Sequence, residues 1–347
     1  MEDCRVYKEV RFNLVGYDPF IDFIKAYAII CVLIGHTIPY VDYWGYGLWA
    51  GMQVPLFVLV QSFHVLKRDS SANITFCLNK IVWRVLIPFL FIQFIVLIFI
   101  LCTYDGIALH TQLVSFMKSG GKGPGSYYPW IYIQIALLLP FINKLMSKGT
   151  KRLLTIASLI ICELFEIVFS LIDLPDFIYR LLAVRYFFLF YLAWLWVKEG
   201  IIINRLTILL STISFLSIIY FEYFSINDEI LFCNTAWKYH RWPCYYFVAM
   251  GGVLLLNYAY KFLSKTVIID KTIKKLAKCS YEIFLIQMLV IYIYPDDMVK
   301  TIMIDMGIVS SLIAVLLAWI VKIVIVFAIS ILAGYYFNVY YNRFVKY

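Results

Sequence analysis

Two residues that could do chemistry stand in the first strongly apolar stretch of the chain, IKAYAIICVLIGHTIPY at 24–40. Lys25 and His36 are eleven residues apart, which on an α-helix is three turns plus about 20° and a rise of roughly 16 Å. Both side chains therefore lie on one face, together with Asp22, three residues before Lys25. A lysine near the end of an apolar helix can extend its amine to water. A histidine about halfway through the hydrocarbon cannot, so we expect His36 to face a cavity or a partner.

The His36 pattern has two interpretations. In the structural one, a neutral imidazole is hydrogen-bonded to a neighbouring helix. In the functional one, the imidazole lies at the bottom of a polar channel that begins at Lys25. An imidazole in such a channel suits general-base catalysis on a hydroxyl, because its ordinary pKa lies near neutral pH. It could also accept an acyl group as a nucleophile, and the spacing does not choose between these routes.

The elements that carry these residues are predicted to be membrane helices. The chain has 347 residues, of which 63% are hydrophobic and 15% charged, whereas soluble domains are about 45–50% apolar and about 25% charged. A spanning helix needs roughly twenty mostly apolar residues. We predict an all-α polytopic transmembrane bundle that forms a single domain over 1–347, with a short N-terminal segment 1–19 and no appended soluble domain. Ten spans are expected, approximately at 20–40, 46–65, 82–104, 127–145, 153–172, 180–197, 204–224, 243–262, 277–295 and 308–334.

The orientation follows from the positive-inside rule. With a cytoplasmic N-terminus, 21 Lys and Arg residues fall on the cytoplasmic side and six on the opposite side. Ten spans then return the C-terminus to the cytoplasm. The net charge of +9 is explained by this topology, so it does not indicate a nucleic-acid partner.

Several stretches together resemble one family. The basic residue and histidine at Lys25 and His36, with ten residues between them in the first span, are similar to the signature of the acyltransferase-3 family. Further stretches resemble the family's later spans: MQVPLFVLVQSFHVLKRD at 52–69, NKIVWRVLIPF at 79–89, RYFFLFYLAW at 185–194 and CSYEIFLIQMLVI at 279–291. The chain departs from the family where Val60-Gln61-Ser62-Phe63 replaces a Ser-Gly pair and where Gln287 stands in place of a common histidine. The resemblance implies an integral-membrane acyltransferase that modifies cell-surface glycans.

On that interpretation the acyl donor is cytoplasmic acyl-coenzyme A, most simply acetyl-coenzyme A, with no permanently bound cofactor. Lys80 and Arg84 stand one turn apart at the entrance of the third span, where cations could bind the donor's phosphates. The alternative is plain positive-inside anchoring, and for Lys67 and Arg68 we favour anchoring. Lys25 would act as the electrostatic, donor-side partner of His36.

The acceptor side is assigned to the glycine-rich stretch SGGKGPGSYYPWIYIQ at 119–134. It lacks the order of a P-loop, since Lys122 is followed by glycine. Aromatic residues at this depth are commonly interfacial anchors. The resemblance favours a second interpretation, in which Tyr128 and Trp130 stack on a sugar and Gln134 points into the cavity. Arg185 could contact the acceptor or an anionic lipid headgroup.

Other classes of function are less well supported. The histidines have no helical ligand spacing, so no metal site is predicted. Cys233 and Cys244 could pair or remain free thiols. The main alternative to the enzyme is a transporter or flippase for a polyprenyl-linked glycan, with proton coupling through His36 and Lys322. Transporters commonly show duplicated halves, and the sequence shows no such repeat. The acceptor sugar, the acyl group and the oligomeric state are not encoded in any recognisable pattern.

Overall fold

A computed structural model describes residues 18–38, 46–67, 79–172, 175–201, 203–223, 242–294 and 312–345. Within these ranges the chain is helical and contains no strand. The helices, in chain order, are α1 (Pro19–Thr37), α2 (Tyr46–Trp49), α3 (Gln53–Lys67), α4 (Asn79–Thr103), α5 (Gly106–Lys118), α6 (Tyr128–Met146), α7 (Lys151–Leu171), α8 (Asp176–Leu181), α9 (Phe187–Glu199), α10 (Arg205–Tyr223), α11 (Trp242–Leu263), α12 (Val267–Lys278), α13 (Ser280–Ile293) and α14 (Leu312–Phe344).

Five helical segments are long and apolar enough to cross a membrane: α1, α4, α6, α11 and Trp319–Phe344 of α14. A sixth span results if α12 and α13, which meet at a 68° bend, are counted as one. The all-helical membrane architecture is therefore confirmed, whereas the count of ten spans is not. Helix α3 has 15 residues and α9 has 13, so each extends roughly 20 Å, less than the hydrocarbon core of about 30 Å.

Helix α1 is the central helix of the bundle. Asp18 caps its first turn by accepting a hydrogen bond from the Phe20 amide at 2.9 Å, and Pro19 occupies the first helical position, where a missing N–H costs nothing. Its apolar face, including Ile24, Ala28 and Leu33, is buried. That face packs against α3, α11, α12, α13 and α14.

The end of α1 differs from the prediction. The sequence suggested a span over 20–40, but the helix stops at Thr37 and Ile38 is extended, with φ −84° and ψ 120°. Ile38 precedes Pro39, and a residue before proline is disfavoured in the helical conformation. His36 therefore lies in the last turn of α1.

Candidate functional site

A large cavity runs along α1. It has a volume of about 1470 Å³, and α1 contributes Asp18, Ile21, Asp22, Lys25, Val32 and His36 to its wall. Apart from the adjacent Ile21 and Asp22, successive positions are three, four or seven residues apart, which is the spacing of one helix face. The shared face of Lys25 and His36 that the spacing predicted is therefore a wall of this cavity.

The Lys25 end of the cavity is cationic. Lys25 forms an ion pair with Asp22 at 3.3 Å, and Lys274 forms one with Asp270 at 2.6 Å. Among the residues that the structure describes, seven lysines and arginines line the cavity and three carboxylates do so. The cations are Lys25, Lys67, Lys80, Arg84, Lys144, Lys274 and Lys278, and the carboxylates are Asp18, Asp22 and Glu282. This excess of positive charge suits an anionic ligand.

The predicted donor-side residues are brought together here. Lys80 and Arg84 both line the cavity, and the Arg84 side chain is exposed. Lys67, which the sequence favoured as a simple anchor, also lines it, with its amine 5.7 Å from the centre of the Phe63 ring. Arg68 lies outside the described residues.

A second cavity begins at the opposite end of α1. It has a volume of about 620 Å³ and is lined by His36, Ser119, Gly121, Lys122, Gly123, Pro124, Gly125, Ser126, Tyr127, Phe177 and Arg180. His36, Gly125 and Tyr127 also line the first cavity. The His36 side chain is exposed, and it is exposed to these two spaces. Its imidazole has no hydrogen-bond partner among the described residues, so it is available to a ligand in either cavity.

The glycine-rich loop at 119–127 forms the boundary between the two cavities. Gln93 of α4 holds it by both backbone groups of one residue: the Lys122 amide donates to Gln93 Oε1 at 2.8 Å, and Gln93 Nε2 donates to the Lys122 carbonyl at 3.1 Å. Gly123 has φ +93°, and an added Cβ there would lie 2.3 Å from Met288 Cγ. The loop is thus packed inside the bundle, in a conformation that only glycine adopts readily.

The predicted acceptor residues are divided between the cavity and the scaffold. Tyr128 is buried and lines the first cavity, where its ring packs against Phe57 and Phe284. Trp130 lines neither cavity. Its indole N–H donates to the Gly120 carbonyl at 2.7 Å, so it holds the glycine-rich loop.

Gln134 does not point into either cavity. Its Nε2 donates to the Leu181 carbonyl at 2.5 Å, and its Oε1 accepts from the Ala183 amide at 3.0 Å. These bonds satisfy backbone groups at the break between α8 and the 3₁₀ turn Ala183–Tyr186. In apolar surroundings such groups need a partner, so Gln134 is a structural clamp.

Arg185 is buried, with 2% of its surface exposed, so it faces neither lipid nor cavity. Its guanidinium carbon lies 4.7, 5.2 and 5.5 Å from the ring centres of Tyr186, Tyr179 and Tyr127. Tyr127 lines both cavities. Arg185 therefore supports a wall residue from behind, and cation–π contact contributes to holding that ring.

Several site residues escaped the sequence analysis. Gln93, Tyr127, Lys274 and Lys278 come from elements whose relative placement depends on tertiary packing. Glu282, a carboxylate in an otherwise apolar helix, also lies in the cavity wall. The described residues contain no group of His, Cys, Asp and Glu that could hold a metal ion. Cys244 is buried, and Cys233 lies outside the described ranges.

These features define a class: a helical membrane protein with two cavities, one rich in cations, that meet at an imidazole. The sequence profile of the acyltransferase-3 family, described as an acyltransferase domain, matches residues 18–339, nearly the whole chain. The chain belongs to this family, and the expected membership is confirmed. No curated protein matches the chain, and no solved structure does so either.

Proposed function

We propose that this membrane acyltransferase moves an acyl group, most simply acetyl, from cytoplasmic acyl-coenzyme A to a hydroxyl of a cell-envelope glycan. The observation that supports this best is the position of His36 where the two cavities meet. A donor and an acceptor that approach from opposite ends would meet at this imidazole. Family membership supports acyl transfer in general.

The first cavity suits the donor. The phosphates of coenzyme A would bind Lys80 and Arg84, since cations pair strongly with phosphate oxygens. The pantetheine arm would extend along the α1 face past Lys25 and carry the thioester to His36, roughly 16 Å farther along the helix axis. The excess of Lys and Arg predicted on this side supports an opening to the cytoplasm, and we propose that the protein lies in the cytoplasmic membrane of the cell with both termini inside.

Transfer at His36 has two chemically complete routes. In the first, the imidazole takes the proton from the acceptor hydroxyl as its oxygen bonds to the acyl carbon, the C–S bond breaks and the thiolate leaves. In the second, an imidazole nitrogen displaces the thiolate to form an acyl-histidine; the acceptor oxygen then bonds to the acyl carbon as the C–N bond breaks, and the hydroxyl proton passes to the released imidazole. Both routes need an accessible imidazole, which the structure has.

A transporter of a polyprenyl-linked glycan is the alternative, and two cavities that meet inside the bundle also suit transport. Lys322, the other residue expected to couple protons, lies in α14 and lines neither cavity. Lys322 therefore does not share either cavity with His36, which favours the enzyme.

The test uses the full chain in nanodiscs with radiolabelled acetyl-coenzyme A, and compares wild type with His36→Ala. We expect donor binding to persist and turnover, as transfer or hydrolysis, to fall at least about 100-fold, the usual contribution of a general base. His110→Ala is the matched control, because His110 is exposed on α5 and lines neither cavity. If the wild type neither binds nor turns over any acyl-coenzyme A, the donor assignment is wrong and the transporter becomes the better explanation.

A further inference from the structure

The second cavity has a lining suited to an anion. Lys122 and Arg180 contribute positive charge, and Ser119 and Ser126 contribute hydroxyls. Among the described residues no carboxylate lines this cavity. Lysine and arginine side chains also line the first cavity, but carboxylates line it as well.

Lys122 is held in place rather than free to leave the cavity. Its backbone is fixed on both sides by Gln93, and its amine donates to Ser115 Oγ at 2.6 Å. Burial lowers the pKa of the Lys122 amine, because a charged group loses hydration there. A bound anion would restore the lost stabilisation by direct pairing.

The volume limits the ligand. About 620 Å³ lies within the range of roughly 300–1,000 Å³ that holds small molecules, so one or two sugar rings fit. The rings of Tyr127 and Phe177 offer flat apolar surfaces beside the cations. His36 forms the inner limit of the same space.

We propose that the second cavity binds an acceptor sugar carrying an anionic group, a phosphate or a carboxylate, which Lys122 and Arg180 recognise while a hydroxyl reaches His36. This inference rests on the proposed function, which assigns the acceptor to the second cavity, and it adds that the acceptor is anionic. A carboxylate would belong to an acidic sugar, and a phosphate would belong to a lipid-linked or phosphorylated one.

The test measures binding directly, so that it does not depend on turnover. Three radiolabelled probes with the same ring, octyl glucoside, octyl glucuronide and a short polyprenyl phosphoryl glucose, are titrated against the full chain in neutral-lipid nanodiscs by scintillation proximity. We expect at least one anionic probe to bind tenfold or more tightly than octyl glucoside. The probe that shows the preference identifies carboxylate or phosphate as the recognised group.

Substitutions locate the preference. Lys122→Gln and Arg180→Gln should each reduce it at least fivefold, whereas Lys122→Arg should retain it because the charge is kept. Lys118→Gln is the matched control, since Lys118 is an exposed lysine four residues away that does not line the cavity. A melting curve confirms that each variant is folded. If one of the two variants does not fold, the other still tests the inference.

Equal binding of charged and neutral probes, or no saturable binding of any, overturns the inference. So does a preference that survives both Lys122→Gln and Arg180→Gln. Failure of this inference can be distinguished from failure of the proposed function. A protein that hydrolyses acetyl-coenzyme A but shows no charge preference refutes only the anionic acceptor. A protein that binds anionic sugars but no acyl-coenzyme A refutes only the donor.

Discussion

The α1 wall of the first cavity and the glycine-rich loop that bounds it place functional groups in opposite ways. On α1 the helix itself sets the positions, and the side chains of Lys25 and His36 extend into open space. In the loop the backbone is positioned by side chains from elsewhere, above all Gln93 and Trp130. A helical wall tolerates changes in its exposed side chains. The loop, in contrast, depends on the hydrogen bonds from Gln93 and Trp130 and on glycine at position 123, where a Cβ would clash.

The largest expected effect on folding follows from adding a methyl group to the loop. Gly123→Ala combines an unfavourable positive φ, about 1–2 kcal/mol, with overpacking of about 1–3 kcal/mol. The new Cβ would lie 2.3 Å from Met288 Cγ and 2.7 Å from the Met288 carbonyl oxygen, so backbone must move. We expect a strongly lowered melting temperature in detergent and loss of acetyl transfer.

The control for this change is Gly106→Ala. Gly106 also has a positive φ, +46°, but an added Cβ there meets nothing within 4 Å. Gly106→Ala should therefore lower the free energy of unfolding only by the cost of the positive φ, about 1–2 kcal/mol. Equal melting temperatures for the two variants would show that the loop is not packed as described.

The second expected effect is smaller and concerns the Gln134 clamp. Gln134→Leu leaves the Leu181 carbonyl and the Ala183 amide without their partner, and each unmade buried bond costs about 1–3 kcal/mol. We expect a lower melting temperature with an unchanged KM for acetyl-coenzyme A, since Gln134 lines neither cavity.

Gln112→Leu on α5 is the matched control for Gln134→Leu. Gln112 is half-buried and lines neither cavity. Its replacement should change the free energy of unfolding by no more than about 0.5 kcal/mol and so leave the melting temperature nearly unchanged. A raised KM of Gln134→Leu for the acceptor sugar, with an unchanged melting temperature, would instead support the acceptor contact that the sequence suggested.

The comparison also explains what the sequence could predict. Helix periodicity fixes which residues share a face, so the Lys25–His36 wall and the Lys80–Arg84 pair were predicted from spacing alone. The roles of Gln134 and Arg185 were not, because both depend on where the 3₁₀ turn Ala183–Tyr186 meets α6 and on the rings of Tyr127 and Tyr179. The predicted span at 277–295 began close to the break at Cys279, but the sequence did not predict α12, a lysine-rich helix that meets α13 at 68°, because its bend depends on tertiary packing.

The smallest expected effect tests the helical wall on its donor side. Arg84 is exposed and shares the cavity mouth with other cations, including Lys67 and Lys80. Removing one such charge should weaken phosphate binding modestly, because solvent screens it and its neighbours remain. We expect Arg84→Gln to raise the KM for acetyl-coenzyme A about fivefold, equivalent to about 1 kcal/mol, with kcat and melting temperature unchanged. The increase should shrink at high salt.

Arg152→Gln, on the exposed start of α7 and outside both cavities, controls for general loss of charge. The two variants remove the same charge, so a shared change in KM would mean that the donor is attracted by the net charge of the protein. A change confined to Arg84→Gln would mean that the cavity mouth binds the donor locally. A fall in kcat without a change in KM would place Arg84 nearer to the reacting thioester than a phosphate contact allows, and the donor would then lie deeper along α1 than we propose.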